Sequence, residues 1–233
     1  MKQSNNFKNF ARRLKTDRPF RQLVFFCVAF VFNVAYAVYN GVMGIVLSSI
    51  WFGSLAIYYV VLSVMRGGVA YGARKIYRKE TEADEKDERS KLIIYLSSGI
   101  MLLVLSLALS GAIVQMSIEG KKFEHAGLLI YVAAVYTFFK ITVAIVNFVK
   151  VTREDDYIRR TICDIALADA LVSVLALQTA MFAAFDSEAD VRWANAATGG
   201  VIGAITVAIG IIMIVISAIK LKRLKNSGGE NER

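Results

Sequence analysis

The chain has 233 residues, of which 56% are hydrophobic and only one is proline. So little polar material cannot cover a water-facing surface, which excludes a soluble domain and indicates a polytopic membrane protein. The formal net charge of +9 comes from basic residues grouped in alternate loops, so we attribute it to membrane topology and expect no nucleic-acid partner.

Six apolar stretches are each long enough to cross the ~30 Å hydrocarbon core of a lipid bilayer as a helix. They cover residues 22–45, 54–71, 92–116, 127–148, 161–185 and 194–219. Helices are expected because open strands leave backbone groups unpaired in lipid, and the sequence lacks the alternation of an outer-membrane barrel. The predicted fold class is therefore all-α, a bundle of six transmembrane helices.

The basic residues predict the orientation of this bundle. Lysine and arginine number 24 in segments 1–21, 66–91, 150–160 and 220–233, against three in the alternate loops. The positive-inside rule then places both termini in the cytoplasm. For a bacterial chain, the membrane would be the inner, cytoplasmic one.

The segments outside the spans carry their own expectations. Residues 1–21 form a basic cytoplasmic tail, either an amphipathic helix on the inner leaflet or a solvated tail that only sets topology. The Ser- and Gly-containing connection at 48–54 predicts a tight turn and a close hairpin of the first two spans. The charged segment 66–91 predicts a solvated, helix-forming cytoplasmic loop, with partner docking as the alternative. Residues 220–233, ending in NSGGENER, predict a disordered cytoplasmic tail.

Two charged residues lie inside predicted spans, where each charge costs roughly 3 kcal/mol on insertion scales. Lys140 is near the middle of span four, and Asp169 is in span five. Counting along both helices places them at nearly the same depth, which predicts a paired polar centre inside the bundle. Arg66 ends a long apolar run, so we expect it to reach the cytoplasmic headgroups, with a second cation in the core of the bundle as the alternative.

Polar residues at helical spacing extend this centre over three spans. The candidate substrate- or ion-binding residues are Lys140, Asp169, Asn33, Asn40, Tyr36, Tyr136, Asn147 and Ser173. We expect these side chains to face one another as a polar seam. Asp164 lies about 140° around the helix from Asp169, so we expect an interfacial carboxylate there.

Metal and catalytic signatures are missing from the sequence. Cys27 and Cys163 are isolated, and the single histidine, His125, falls in an outer loop, so no metal-ligand spacing occurs. Hydrolase and protease motifs do not occur either. We therefore expect no cofactor, no bound metal and no enzymatic activity.

Two segments resemble transmembrane helices of a known family. GSLAIYYVVLSVMR at 53–66 and DIALADALVSVLAL at 164–177 are similar to the second and fifth helices of the cation diffusion facilitators, with typical patterns GSLALLADALHS and HxxxDALxSL. The resemblance implies a six-helix bundle with both termini in the cytoplasm. Of the family's four metal-ligand positions, only the one at Asp169 holds a ligand here; the others hold Ile165, Val60 and Val64.

A second resemblance concerns the source of the protein. YTFFKITVAIVNFVK and ADALVSVLALQTAM are similar to segments of uncharacterised multi-pass membrane proteins of Gram-positive bacteria, which implies a bacterial origin and no particular activity.

These observations predict a bacterial transporter-like protein that moves a cation, a proton-coupled solute or a small anion through a polar centre. Gly199 and Gly203 have the spacing that lets helices approach closely, either within the bundle or across the homodimer that we expect. The alternative function is a non-transporting membrane scaffold or regulator, in which Lys140 and Asp169 form a structural lock.

Overall fold

The computed structural model describes residues 18–46, 48, 50–78, 85–119, 127–152, 154–185 and 191–230. They form six helices: α1 (Arg18–Val46), α2 (Ile50–Arg78), α3 (Glu85–Glu119), α4 (Gly127–Val151), α5 (Tyr157–Phe185) and α6 (Val191–Glu230). Each helix contains a stretch long and apolar enough to cross a membrane. The described residues contain no strand. The predicted all-α architecture, with six helices long and apolar enough to cross a membrane, is therefore confirmed for the described residues.

The helices extend well beyond the predicted apolar spans. Because α2 runs to Arg78 and α3 begins at Glu85, most of the 66–91 segment is helix rather than loop. Buried Val69, Ala73 and Ile76 lie on one face at i, i+4 and i+7, which explains why α2 continues. Helix α6 likewise continues to Glu230 through residues whose composition predicts disorder.

Two predictions concern residues outside the described ranges. The possible amphipathic helix falls almost entirely on residues 1–17, and the outer loop with His125 falls on residues 120–126.

The first two helices form the expected close hairpin. Ser48 has a positive φ of 47°, and its backbone N–H donates to the Ile45 carbonyl at 3.3 Å. The rings of Tyr36 on α1 and Tyr59 on α2 stack with centroids 5.4 Å apart. This contact sets the register in which α1 runs antiparallel to α2.

Helix α5 is the centre of the bundle. It packs against all five other helices, and its membrane-spanning part is 67% buried, compared with 17% for α1 and for α4. Its first turn is capped by Asp156, whose Oδ1 accepts from the backbone N–H of Ile158 at 3.0 Å. Within the described ranges, α4 packs only against α5, and α1 packs only against α2 and α5.

Helices α3 and α6 approach each other at a pair of glycines. A Cβ atom on Gly99 would lie 3.0 Å from the Gly210 carbonyl oxygen, and one on Gly210 would lie 3.1 Å from the Gly99 oxygen. Larger residues would push the two backbones apart. At Gly203, by contrast, an added Cβ would meet no described atom within 4 Å, so this close approach uses Gly210.

Candidate functional site

The centre of the candidate site is the carboxylate of Asp169, on the central helix α5. Its Oδ2 accepts from Nη2 of Arg66 at 2.6 Å and from Nζ of Lys140 at 2.8 Å. The expected pairing of Lys140 with Asp169 is therefore present. A second cation completes it, and we call Arg66, Lys140 and Asp169 the charge triad. It joins α2, α4 and α5.

The position of Arg66 corrects the sequence-based expectation. Its side chain is 2% exposed, so it does not reach the membrane surface. Because α2 continues for three further turns beyond Arg66, this residue lies inside the helix rather than at its end. The ring of Phe26, on α1, lies 5.3 Å from the guanidinium carbon and covers it through a cation–π contact.

Lys140 occupies the outer edge of the triad. Its ammonium donates to Oγ of Ser173 at 2.7 Å and to the backbone carbonyl of Asp169 at 3.4 Å. Ser173 Oγ in turn donates to that same carbonyl at 2.9 Å. All of these partners belong to α5. The Lys140 side chain is 21% exposed, against 6% for Asp169, so the triad is most accessible from the Lys140 side.

The predicted polar stripe on α1 is only partly correct. Asn33 and Asn40 are buried, but Tyr36 is 52% exposed. The buried face of α1 is centred on Asn33, Ala37 and Asn40, which leaves Tyr36 at its margin. Asn40 does not extend the triad, because its Nδ2 donates to the Tyr36 carbonyl of its own helix at 2.7 Å.

On α4, too, the predicted polar face does not point into the bundle. The buried positions are Thr137, Ala144 and Val151, spaced by seven residues. Tyr136 is 58% exposed, since it lies well around the helix from them, and Asn147 is only half-buried. The expectation that Tyr136 faces inward is therefore wrong, and of the predicted α4 residues Lys140 alone, within the described ranges, bonds Asp169.

Three tyrosines lie near the triad. Tyr59 stacks on Tyr36 and lies within electrostatic range of Tyr136 and Asp169. Tyr36 and Tyr136 are both exposed, on two helices that make no packing contact within the described ranges. We call Tyr36, Tyr59 and Tyr136 the tyrosine edge; it flanks the gap between α1 and α4.

Asp164 belongs to a separate cluster on α5. It is 2% exposed and interacts electrostatically with Tyr95 and Arg160, whose guanidinium lies 5.7 Å from the Tyr95 ring centre. The carboxylate is therefore covered within the bundle, apart from the charge triad. Residues of α3 cover this position, which the spacing along α5 alone does not predict.

The positions that would hold metal in a cation diffusion facilitator differ in burial. Ile165 and Asp169 are buried, but Val60 and Val64 are at least half exposed. No group of three metal-ligating side chains occurs among the described residues. A carboxylate that already bonds two cations also lacks the free charge needed by a divalent ion.

Similarity to known proteins assigns neither a family nor an activity to this chain. No protein-family model matches the chain, and no curated protein matches it. The functional proposal therefore rests on the charge triad and its surroundings.

Proposed function

We propose that this protein is a multi-pass membrane transporter-like protein that moves a small ion or solute through the centre formed by the charge triad. The observation that carries the proposal is the meeting of Arg66, Lys140 and Asp169 from three helices. Arg66 lies 13 residues after Gly53 and 10 before Ile76, near the middle of its apolar span. Charges at this depth are costly and are typical of ion and substrate pathways.

A structural role alone is a weak explanation for this centre. Buried ion pairs often contribute no more stability than apolar side chains of similar volume. Asp169 lies on α5, which packs against all five other helices. The apolar residues around Asp169 could therefore hold these helices together without a charged centre. A centre with one member at an open edge is better suited to exchanging a ligand.

The packing also favours motion of α4 as the step that changes access. Within the described ranges α4 packs only on α5, and every polar contact of Lys140 is to α5. Displacement of α4 would therefore break the Lys140 contacts while leaving the Arg66–Asp169 bond intact. Such a change would open Asp169 and Arg66 toward the tyrosine edge.

We also propose a bacterial inner membrane location with both termini in the cytoplasm, supported by the distribution of basic residues. A homodimer is part of the same proposal. Its support is the small-residue spacing of Gly199 and Gly203, because a Cβ on Gly203 would meet no described atom within 4 Å and a second helix could approach there. Cross-linking in native membranes would test this oligomeric state.

A structural lock is the second candidate function. It is favoured by the hydrogen-bond distances of 2.6 and 2.8 Å and by the burial of Asp169. In that case the protein would be a non-transporting scaffold or regulator whose helices are held in register by the triad.

Flux measurements separate the two candidates. The purified protein would be placed in proteoliposomes, and currents would be recorded on solid-supported membranes after concentration jumps of sodium chloride, potassium chloride, sodium acetate and sodium phosphate. We expect a protein-dependent current that Lys140→Met abolishes and Lys150→Met, an exposed lysine on the same helix, preserves. A folded wild-type protein without current in any of these salts would overturn transport and leave the scaffold function.

A further inference from the structure

We infer that the charge triad binds a small monovalent anion, such as a halide or a carboxylate, through the guanidinium of Arg66. The inference deepens the proposed function by naming the class of substrate. It rests on that function only for the movement of the anion, because binding itself is measured at equilibrium on the isolated protein.

The first observation is the charge balance of the triad. Asp169 interacts with Lys140 and Arg66, so two positive charges face one negative charge and the sum is +1. The other titratable groups that interact with the triad, among the described residues, are the neutral phenols of Tyr58, Tyr59 and Tyr136. A monovalent anion would neutralise the centre, whereas a cation would raise its charge further.

The second observation is that Arg66 has donors to spare. Its Nη2 bonds Asp169, but Nε and Nη1 are buried and find no acceptor among the described residues. The side chain is only 2% exposed. Buried donors on a charged group are rarely left unpaired, because their loss of hydration is not compensated.

Nearby unpaired groups are donors as well. The Tyr58 hydroxyl and the Asn33 amide nitrogen are buried without a partner among the described residues, and Tyr58 lies in electrostatic range of Arg66. Asn33 is on the buried face of α1, between Phe30, which approaches Gly67, and Tyr36, which stacks on Tyr59. A set of N–H and O–H donors is the chemistry that recognises halide or carboxylate, not a metal ion.

The arrangement also limits how the anion would bind. Phe26 covers the guanidinium, so acceptors would approach along its N–H edges, in the plane preferred by arginine. The anion would reach this edge from the Lys140 side, where the triad is most exposed. Lys140 would exchange its bond to Asp169 for contact with the arriving anion, which keeps both cations paired.

The test is the anion dependence of thermal unfolding in an uncharged detergent. Sodium chloride, acetate and nitrate would be titrated singly against the wild-type protein, Arg66→Lys and Arg74→Lys, with sodium sulfate as the divalent comparison. A bound ligand raises the unfolding midpoint along a saturating curve. Arg66→Lys keeps the charge but removes the unpaired guanidinium N–H groups, and Arg74→Lys makes the same change at an exposed arginine on the same helix.

We expect at least one monovalent anion to give a saturating rise in the wild type and in Arg74→Lys. Because one or two charged hydrogen bonds are lost, Arg66→Lys should bind it about tenfold more weakly or worse. Equal curves for all three proteins would show only a general salt effect and would overturn the inference. So would a rise produced by sodium sulfate alone, or no saturation with any salt, since water would then occupy the Arg66 donors.

These outcomes are separable from those of the transport test. Saturable anion binding without any current would retain the anion site and overturn transport. A current carried by sodium or potassium, without anion-dependent stabilisation, would retain transport and overturn the anion site.

Discussion

Removal of the Asp169 carboxylate should destabilise the protein far more than removal of either cation. Asp169→Asn would leave Arg66 and Lys140 as two positive charges without a counter-charge. Lys140 is 21% exposed and can turn outward, but Arg66 is 2% exposed and cannot. Breaking a buried pair in this way costs about 3–5 kcal/mol, nearly all of it from the stranded Arg66.

Arg66→Met should have a much smaller effect, because it leaves a neutral Lys140–Asp169 pair that keeps its 2.8 Å contact. A loss below about 1 kcal/mol is expected, since an expensive buried charge disappears together with its hydrogen bond. Adding Arg66→Met to Asp169→Asn should therefore recover at least half of the stability lost by Asp169→Asn alone.

The assay is steric trapping in lipid bicelles, in which streptavidin captures the unfolded state of doubly biotinylated protein and reports its free energy of unfolding. Asp155→Asn, on an exposed carboxylate outside the triad, is the control and should change stability by less than about 0.5 kcal/mol. A loss under about 1 kcal/mol for Asp169→Asn, or an equally large loss for Arg66→Met, would refute the idea that the triad carries one uncompensated positive charge.

Three further predictions test the packing, the Lys140 contacts and the topology. Gly210→Ala should lower the free energy of unfolding by about 1–3 kcal/mol, because the new methyl would crowd the facing backbone. Gly203→Ala should leave it unchanged, because that position is in open space. Equal losses in the two variants would contradict the close approach of α3 and α6 at Gly99 and Gly210. Ser173→Ala should lower the free energy of unfolding by about 1 kcal/mol, because it removes an acceptor of Lys140. Ser173→Thr keeps the hydroxyl and should restore that stability. Equal losses in both variants, or no loss in either, would exclude the Lys140–Ser173 bond. In right-side-out vesicles an impermeant maleimide should label Ser48→Cys but reach Lys225→Cys only after permeabilisation, and the reverse pattern would invert the proposed orientation.

The sequence predicts the architecture well, because the constraint behind it is strong. Lipid allows few alternatives to apolar helices of about 20 residues, so six spans can be read directly. The hairpin at Ser48 and the pairing of Lys140 with Asp169 follow from turn chemistry and from counting depth. These predictions need only distances along single helices.

What the sequence does not reveal is the rotation of each helix and its continuation beyond the membrane. Tyr36 and Tyr136 have a spacing compatible with the polar faces, yet both are more than half exposed. A face about 100° wide can be rotated until its edge residues face outward, and only the neighbouring helices decide this.

Arg66 is placed wrongly if α2 is assumed to end where its apolar run ends. An apolar run followed by arginine resembles a membrane boundary, but GGVAYGA, at 67–73, continues the helix and its buried Val69 and Ala73. The available signal was the spacing of Leu62, Arg66, Val69 and Ala73 on one face. With Arg66 placed inside the span, two cations and one carboxylate lie there, and the centre has an excess positive charge.

We propose that the charge triad is a working site for a small anion, and anion-driven current is its most direct test. Sodium acetate and sodium chloride gradients would be applied to proteoliposomes containing the wild type, Lys140→Met, Arg66→Lys or Arg74→Lys at equal protein density. We predict current in the wild type and in Arg74→Lys, and its loss in both triad variants while their helical content remains unchanged. Equal currents in all four proteins, or none in the wild type, would show that the triad does not carry an anion current.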